Sequence, residues 1–278
     1  MIARRTLLAG LAALGLTGAA RPAPTLTVMT FNVRLPLASD GANAWPNRAA
    51  LFARTVAAAD PDIFGTQELF QSQGEDIVRA LPRYRWFGRD RRGGHGDEHM
   101  GIFYRTDRLT LLDQGDFWLS DTPEVPGSIT WGHPLPRMVN WGRFQTRDGR
   151  RFVLLDTHFP YRDEDEGARE QAAALIVARL PTIAKGDPVV LTGDFNTIPD
   201  SRTHAILAAA LQDAWQHAST TRGPALTFHD FTGTPDRRID WILTRGFTAL
   251  SAETVTRHEG PRYPSDHFPV VARLRFDR

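Results

Sequence analysis

Cysteine is missing from all 278 residues. Disulfides, thiolate metal sites and cysteine nucleophiles are thereby excluded, and thiol content says nothing about the compartment. A basic excess is missing too: 33 Lys and Arg face 32 Asp and Glu, for a formal net charge of +1. A protein that holds nucleic acid by bulk charge needs surplus cations to neutralise phosphates. The balance argues against that class, though not against an enzyme that meets a phosphate inside a cleft. Long apolar runs are also scarce. The run from Leu7 to Leu16 is well short of the roughly 20 residues of a spanning helix.

What surrounds that run is informative. Arg4 and Arg5 precede it, and Gly18, Ala19 and Ala20 follow it. A charged start, a short apolar centre and a small-residue exit make an export signal. The paired arginines before Thr6-Leu7-Leu8 look like a twin-arginine signal, with an ordinary secretory signal as the alternative. Residues 1–24 are therefore expected to be signal and linker. The protein is expected to be exported, periplasmic or secreted, and without stable membrane insertion once the signal is removed.

Apolar residues make up 41% and charged residues 23%, a balance that excludes a disordered chain. Leu26 to Phe31, Asp62 to Thr66, Ile102 to Tyr104 and Leu109 to Leu112 read as strands, as do Phe152 to Thr157, Val189 to Leu191, Ile239 to Leu243 and Phe268 to Leu274. Pro46 sits where the first turn of a helix accepts proline, with Phe52, Val56 and Ala59 following at helical spacing. Ala168, Ala172, Leu175, Ile176 and Leu180 mark a second helix face. Many strands with few, separated helices predict an α/β sandwich. No repeat or linker divides residues 25–278, so one domain and a monomer are expected.

Polar residues fall at telling places. Asn32, Glu68, His158, Asp194 and Asp266 are each expected at or just past a strand end, where a rigid frame projects side chains into a shared crevice. They belong to the segments Thr30–Arg34, Thr66–Glu68, Asp156–His158, Thr192–Asn196 and Ser265–His267, with Arg238–Trp241 between the last two. Singly each string is weak, since Gly-Asp-x-Asn after a strand is most often a turn. In this order they resemble the endonuclease/exonuclease/phosphatase superfamily, the deoxyribonuclease I-like group. The resemblance runs from Leu26 to Arg275. Asn43–Arg48, Phe117–Ser120 with Pro123, and Leu135–Arg137 look like a bacterial exported branch of it.

The resemblance implies a four-layer sandwich of two mixed β-sheets flanked by helices. It also implies a divalent-metal-dependent phosphoesterase that hydrolyses a phosphodiester or phosphomonoester with activated water. A nuclease acting on DNA or RNA, or a non-catalytic module binding a phosphate ligand, are the alternatives; nucleic acid enters only as substrate. Attack on an anionic ester concentrates charge at phosphorus, and a hard cation held by oxygen ligands offsets it. Mg²⁺ or Mn²⁺ is expected, with Glu68 as principal ligand and Asn32 and Asp266 nearby. His267 is the leading general base and Asp240 the carboxylate that orients it. The resemblance pairs His158 with Glu98. Whether Asp194 or a histidine takes the proton stays open, and Asn196 is assigned to a phosphate oxygen or to the nucleophile. Arg137 is expected to grip phosphate, and His229 is a candidate for touching substrate. Arg34 stands where related nucleases carry an acid, which weakens a two-metal version. His95 and His99 read as members of a solvated loop, and Trp45, Trp118, Trp131 and Trp141 as packing residues.

Overall fold

The strands of this chain are apolar at consecutive positions, as strands are when both faces are covered. In the computed structural model, which describes residues 24–277, two sheets pack face to face and helices cover both outer surfaces. The signal expected around Arg4 and Arg5 lies outside the described residues. No described helix is long and apolar enough to cross a membrane.

Strand β1 (Thr25–Asn32) leads to helix α1 (Trp45–Ala59), β2 (Ile63–Leu69), α2 (Gln71–Ala80), β3 (Tyr84–Phe87), β4 (His99–Arg105), β5 (Leu109–Trp118) and β6 (Met138–Thr146). There follow β7 (Arg151–His158), α3 (Glu166–Ala184), β8 (Val189–Asp194), α4 (Arg202–Ala208), β9 (Gln212–Asp213), α5 (Ala214–His217), β10 (Thr221–Arg222), β11 (Asp240–Arg245), β12 (Phe247–Thr254) and β13 (Val270–Phe276). The first sheet has seven strands in the order β10-β12-β13-β1-β2-β4-β3, and the second six in the order β5-β6-β7-β8-β11-β9. Both are mixed. β1 runs parallel to β2 and β7 to β8, while β13 is antiparallel to β1 and β11 to β8.

Alternation along each strand splits the core into three layers. Leu26, Val28, Leu154, Val190 and Ile242 point between the sheets. Met29, Phe31, Phe64 and Phe103 point out toward Phe52 and Val56 of α1 and Ile77 of α2. Val153, Leu155, Val189 and Leu191 point the other way, against Ala172, Ile176 and Leu180 of α3. Fully burying one such large side chain stabilises by roughly 1.5–3 kcal/mol, and a one-residue slip would exchange the layers. Pro46 lies in the first turn of α1, as its position suggested. Trp45 and Trp118 are buried, and Trp131 and Trp141 pack against the outer core.

A small polar cluster centred on Asp156 sits inside this apolar stack. Asp156 of β7 is fully buried; its Oδ1 accepts from Gln67 Nε2 and from Thr192 Oγ1, each at 2.7 Å. Burial pushes this carboxyl well above its ordinary value, while Asp156 Oδ2 and Gln67 Oε1 lack partners. The native state therefore holds the proton more tightly than the unfolded chain, and stability falls as pH rises above about 4 toward the raised value. Asp156→Asn is expected to remove that slope, because an amide carries no charge and adds a donor for Gln67 Oε1. Its melting temperature at pH 8 should equal or exceed the parent's. Asp156→Ala, which strands Gln67 and Thr192, should lose roughly 1–3 kcal/mol. Thermal melts across pH check both.

Candidate active site

The register of the sheets brings distant residues to one edge. His158 closes β7 opposite Asp194, and Asp194 closes β8 opposite Asp240, so three functional side chains lie on adjacent strands. In the facing sheet, Asn32 ends β1 in register with Gln67 of β2. Asp266 and His267 precede β13 instead of following a strand, a correction to the strand-end reading. Because β13 runs antiparallel to β1, its beginning reaches the edge where β1 ends. Ser265 Oγ secures the junction by donating to the Asn32 carbonyl at 2.7 Å.

Glu68 is aimed by an irregularity. The pairing of β2 with β4 shifts between Thr66 and Leu69, and Glu68 takes φ 58°, a strained value for a residue with a Cβ. Gln67 thus faces the inter-sheet core while Glu68 faces the cleft. Among the described residues seven non-glycine positions have positive φ; four of them, Arg34, Glu68, Asn196 and Asp230, line this one cleft. Strain concentrated in one cavity wall is a mark of function.

The cleft encloses about 430 Å³. Asn32 Nδ2 donates to Glu68 Oε1 at 3.2 Å and to Asp194 Oδ2 at 3.0 Å, and its Oδ1 accepts from the Arg34 backbone at 2.9 Å. Asn32 is thus a spacer between two carboxylates. Glu68 Oε2 accepts from the Leu35 amide at 3.1 Å. Burial raises the Glu68 carboxyl, and the negative charge of Asp266 raises it further. Two carboxylates that repel each other at the floor of a cleft offer the oxygens a hard divalent cation prefers, whereas Asn32, expected as a further ligand, turns its Nδ2 toward them and has its Oδ1 held by the Arg34 amide, so it spaces the acids instead. Arg34 Nη1 lies 3.6 Å from Asp266 Oδ2, so positive charge stands beside this carboxylate.

His267 Nδ1 and Asp240 Oδ2 are hydrogen-bonded at 2.9 Å. His267 Nε2 stands 3.8 Å from Asp194 Oδ2, and His158 Nε2 3.6 Å from the same oxygen. Asp194 thus lies between two imidazoles. Burial opposes charge on His267, but Asp240 and Asp194 outweigh it and lift the imidazole to about 10. Burial and the neighbouring Asp240 push Asp194 up to about 6. Burial, then Arg137, drives His158 well below its ordinary value, so its ring is neutral. Asp194, Asp240 and His267 also offer atoms within 4.8 Å of one another. With Asp240 Oδ2 occupied by His267, that trio reads more simply as a hydrogen-bonded histidine–carboxylate pair beside a third acid.

Three expectations need correction. Glu98 does not pair with His158: its Oε2 lies 2.8 Å from Arg91 Nη1 and 3.9 Å from Arg137 Nη1. A guanidinium satisfies a buried carboxylate better than an imidazole that burial keeps neutral. His229 is not on the cleft wall. It is buried behind, its ring 4.0 Å from that of Phe268, and its Nδ1 accepts from the Gly233 amide at 3.3 Å. His99 is likewise not in a solvated loop; it opens β4, fully buried, with Nδ1 2.9 Å from the Leu69 carbonyl.

Arg137 is 97% buried, and its Nε and Nη1 have no hydrogen-bond partner. Asn196, at φ 50°, donates Nδ2 to the Phe159 carbonyl at 3.0 Å and its backbone amide to Asp194 Oδ1 at 3.0 Å. Tyr161, Phe228, Asp230 and Arg237 complete the mouth of the cleft. They lie in loops without periodicity, so no sequence signal singled them out. A second cavity of about 440 Å³ between Trp86 and Asn140 holds none of these groups, and the Asn140 amide there is occupied by the Arg89 and Met100 carbonyls.

Residues 29–267 match the model of the endonuclease/exonuclease/phosphatase family. The chain belongs to that family. Among solved structures of family members, one from Bacteroides thetaiotaomicron is 34% identical, with a TM-score of 0.87 over 93% of this chain and 100% of that one. The mannosyl-6-phosphatase of the same organism is also 34% identical, with a TM-score of 0.85 over 90% of this chain and all of its own. An uncharacterized protein of Acanthamoeba polyphaga mimivirus is 28% identical over 163 residues. The chain spans 26% to 59% of the length of the curated relatives it matches.

Proposed function

We propose that this family member is an exported phosphoesterase that hydrolyses a phosphate ester with water, assisted by Mg²⁺ or Mn²⁺ at Glu68 and Asp266. The observation that carries the reading is Arg137. Its guanidinium is buried in a cleft wall, two of its nitrogens make no hydrogen bond, and Glu98 approaches one of them only to 3.9 Å, which leaves it suited to gripping an anion. Facing it are carboxylates that call for a cation and, beside a charged imidazole, Asp194 to take a proton. Phosphate esters need all three.

In this reading Arg137 grips a non-bridging oxygen, and neutral His158 donates a hydrogen bond to the phosphoryl group. The proton of the attacking water passes to Asp194, beside the imidazolium of His267 that Asp240 holds in line. When bound, the cation offsets charge building at phosphorus. The single acid pair, with Arg34 against Asp266, favours one cation over two. A phosphomonoester is the preferred substrate, supported by the mannosyl-6-phosphatase that the chain covers at full length. A binding module without chemistry is disfavoured by the intact His267–Asp240 pair. For export, the support is the pattern of Arg4, Arg5 and the apolar run after them.

Release of phosphate from p-nitrophenyl phosphate, its bis-ester, sugar phosphates and DNA, with Mg²⁺ or Mn²⁺ and with EDTA, tests this. Turnover of a monoester abolished by EDTA and restored by the cation is expected. Folded protein without EDTA-sensitive turnover on the whole panel would sink the proposal.

A further inference from the structure

The mouth of the cleft carries groups that the chemistry above leaves unused. In the six-stranded sheet β8 lies between β7 and β11. The segment after β7, with Tyr161, and the segment before β11, with Phe228, Asp230 and Arg237, therefore flank Asp194 from opposite sides. Tyr161 is 53% exposed.

The second flank is built against a conformational penalty. Asp230 and Phe231 have φ of 44° and 59°, two consecutive left-handed residues without glycine. The amides of His229 and Asp230 hold them there by both donating to the Asp266 carbonyl, at 2.9 and 3.1 Å. Arg48 lies over the Phe231 ring, 5.9 Å from its centre. The result is an exposed carboxylate at the entrance of the cleft in which Arg137 would receive the phosphate. An acid there repels an incoming phosphate, so its partner is on another part of the substrate, a hydroxyl or a cation.

Arg237 decides between them. Its guanidinium lies over Phe228, 4.5 Å from the ring centre, with Nε donating to Asp236 at 3.1 Å. It covers the aromatic face that a quaternary ammonium would require and adds like charge against one. A carboxylate acceptor, a guanidinium donor and an exposed phenol ring instead suit a ring of neutral hydroxyls with an apolar C–H face.

We infer that Tyr161, Asp230 and Arg237 form a subsite for a neutral, polyhydroxylated leaving group, the sugar or polyol of a phosphate ester. This rests on the phosphoesterase reading above. Tyr161 stacks on the ring, while Asp230 accepts from and Arg237 donates to its hydroxyls.

The quantity to measure is the ratio of kcat/KM for a hexose phosphate to that for methyl phosphate, in excess Mg²⁺. Asp230→Gly deletes the carboxylate without backbone cost, since glycine takes φ 44° freely. The ratio is expected to fall about tenfold or more in Asp230→Gly and, separately, in Tyr161→Ala. Phosphocholine should be no better a substrate of the parent protein than methyl phosphate. An unchanged ratio in both variants, or a parent that prefers phosphocholine to the hexose phosphate, overturns the subsite. A parent that turns over none of these three but cleaves another ester of the panel above overturns the subsite alone; one inactive on the whole panel defeats the phosphoesterase reading, and the subsite with it.

Discussion

His267→Gln is expected to lower kcat by about two to four orders of magnitude, the range of positioned acid–base groups. Glutamine keeps a donor for Asp240 but cannot carry the positive charge that stands beside Asp194. Alanine is the poorer probe. It would leave Asp240 buried, with both carboxylate oxygens unpaired and a stability loss of roughly 3–5 kcal/mol. The imidazole also leaves a trace in stability. In EDTA its value is raised from 6.5 to about 10, so folding favours the protonated form. That contribution is complete below about pH 6.5 and is lost as pH rises to about 10. The parent should lose melting temperature across that window more steeply than His267→Gln. Asp194 acts in a separate window: raised to about 6, it costs stability progressively as pH climbs from about 4 to 6. Undiminished kcat in well-folded His267→Gln would remove this residue from the chemistry.

Glu68→Gln is expected to weaken cation binding strongly while leaving the cation-free fold intact or firmer. The reason is that burial, and then repulsion from Asp266, raises the Glu68 carboxyl; an uncharged amide relieves both. A ligand that binds only the folded state stabilises by about 2.7 kcal/mol at 100 times its dissociation constant. The parent's melting temperature should therefore climb with added Mg²⁺ or Mn²⁺, and the variant's should climb far less. Activity of the variant should return only in part, at raised cation concentration. An equal cation-induced shift in both proteins would show that Glu68 is not the ligand.

Much of this architecture was legible in the residues. Consecutive apolar positions in Leu26 to Phe31 and Val189 to Leu191 mark strands covered on both faces, and those strands form β1 and β8. Asn32, His158 and Asp194, polar residues closing apolar runs, do converge. Other elements escaped notice. β6 carries Asn140, Gly142 and Arg143, which break its apolar run, and the short edge strand β3 has only four residues.

By itself the sequence determined the sandwich, because burial of apolar side chains depends on local period and composition, which a linear chain displays openly. It also determined which residue types could meet a phosphate. The partnerships were decided only by tertiary structure: Glu98 with Arg91, His229 behind the wall, Asp266 entering from the start of an antiparallel strand, and Glu68 turned by a bulge. Hydrogen bonds and charge pairs depend on distances of a few ångströms between residues far apart in the chain. No local pattern encodes them until the sheets have set their register.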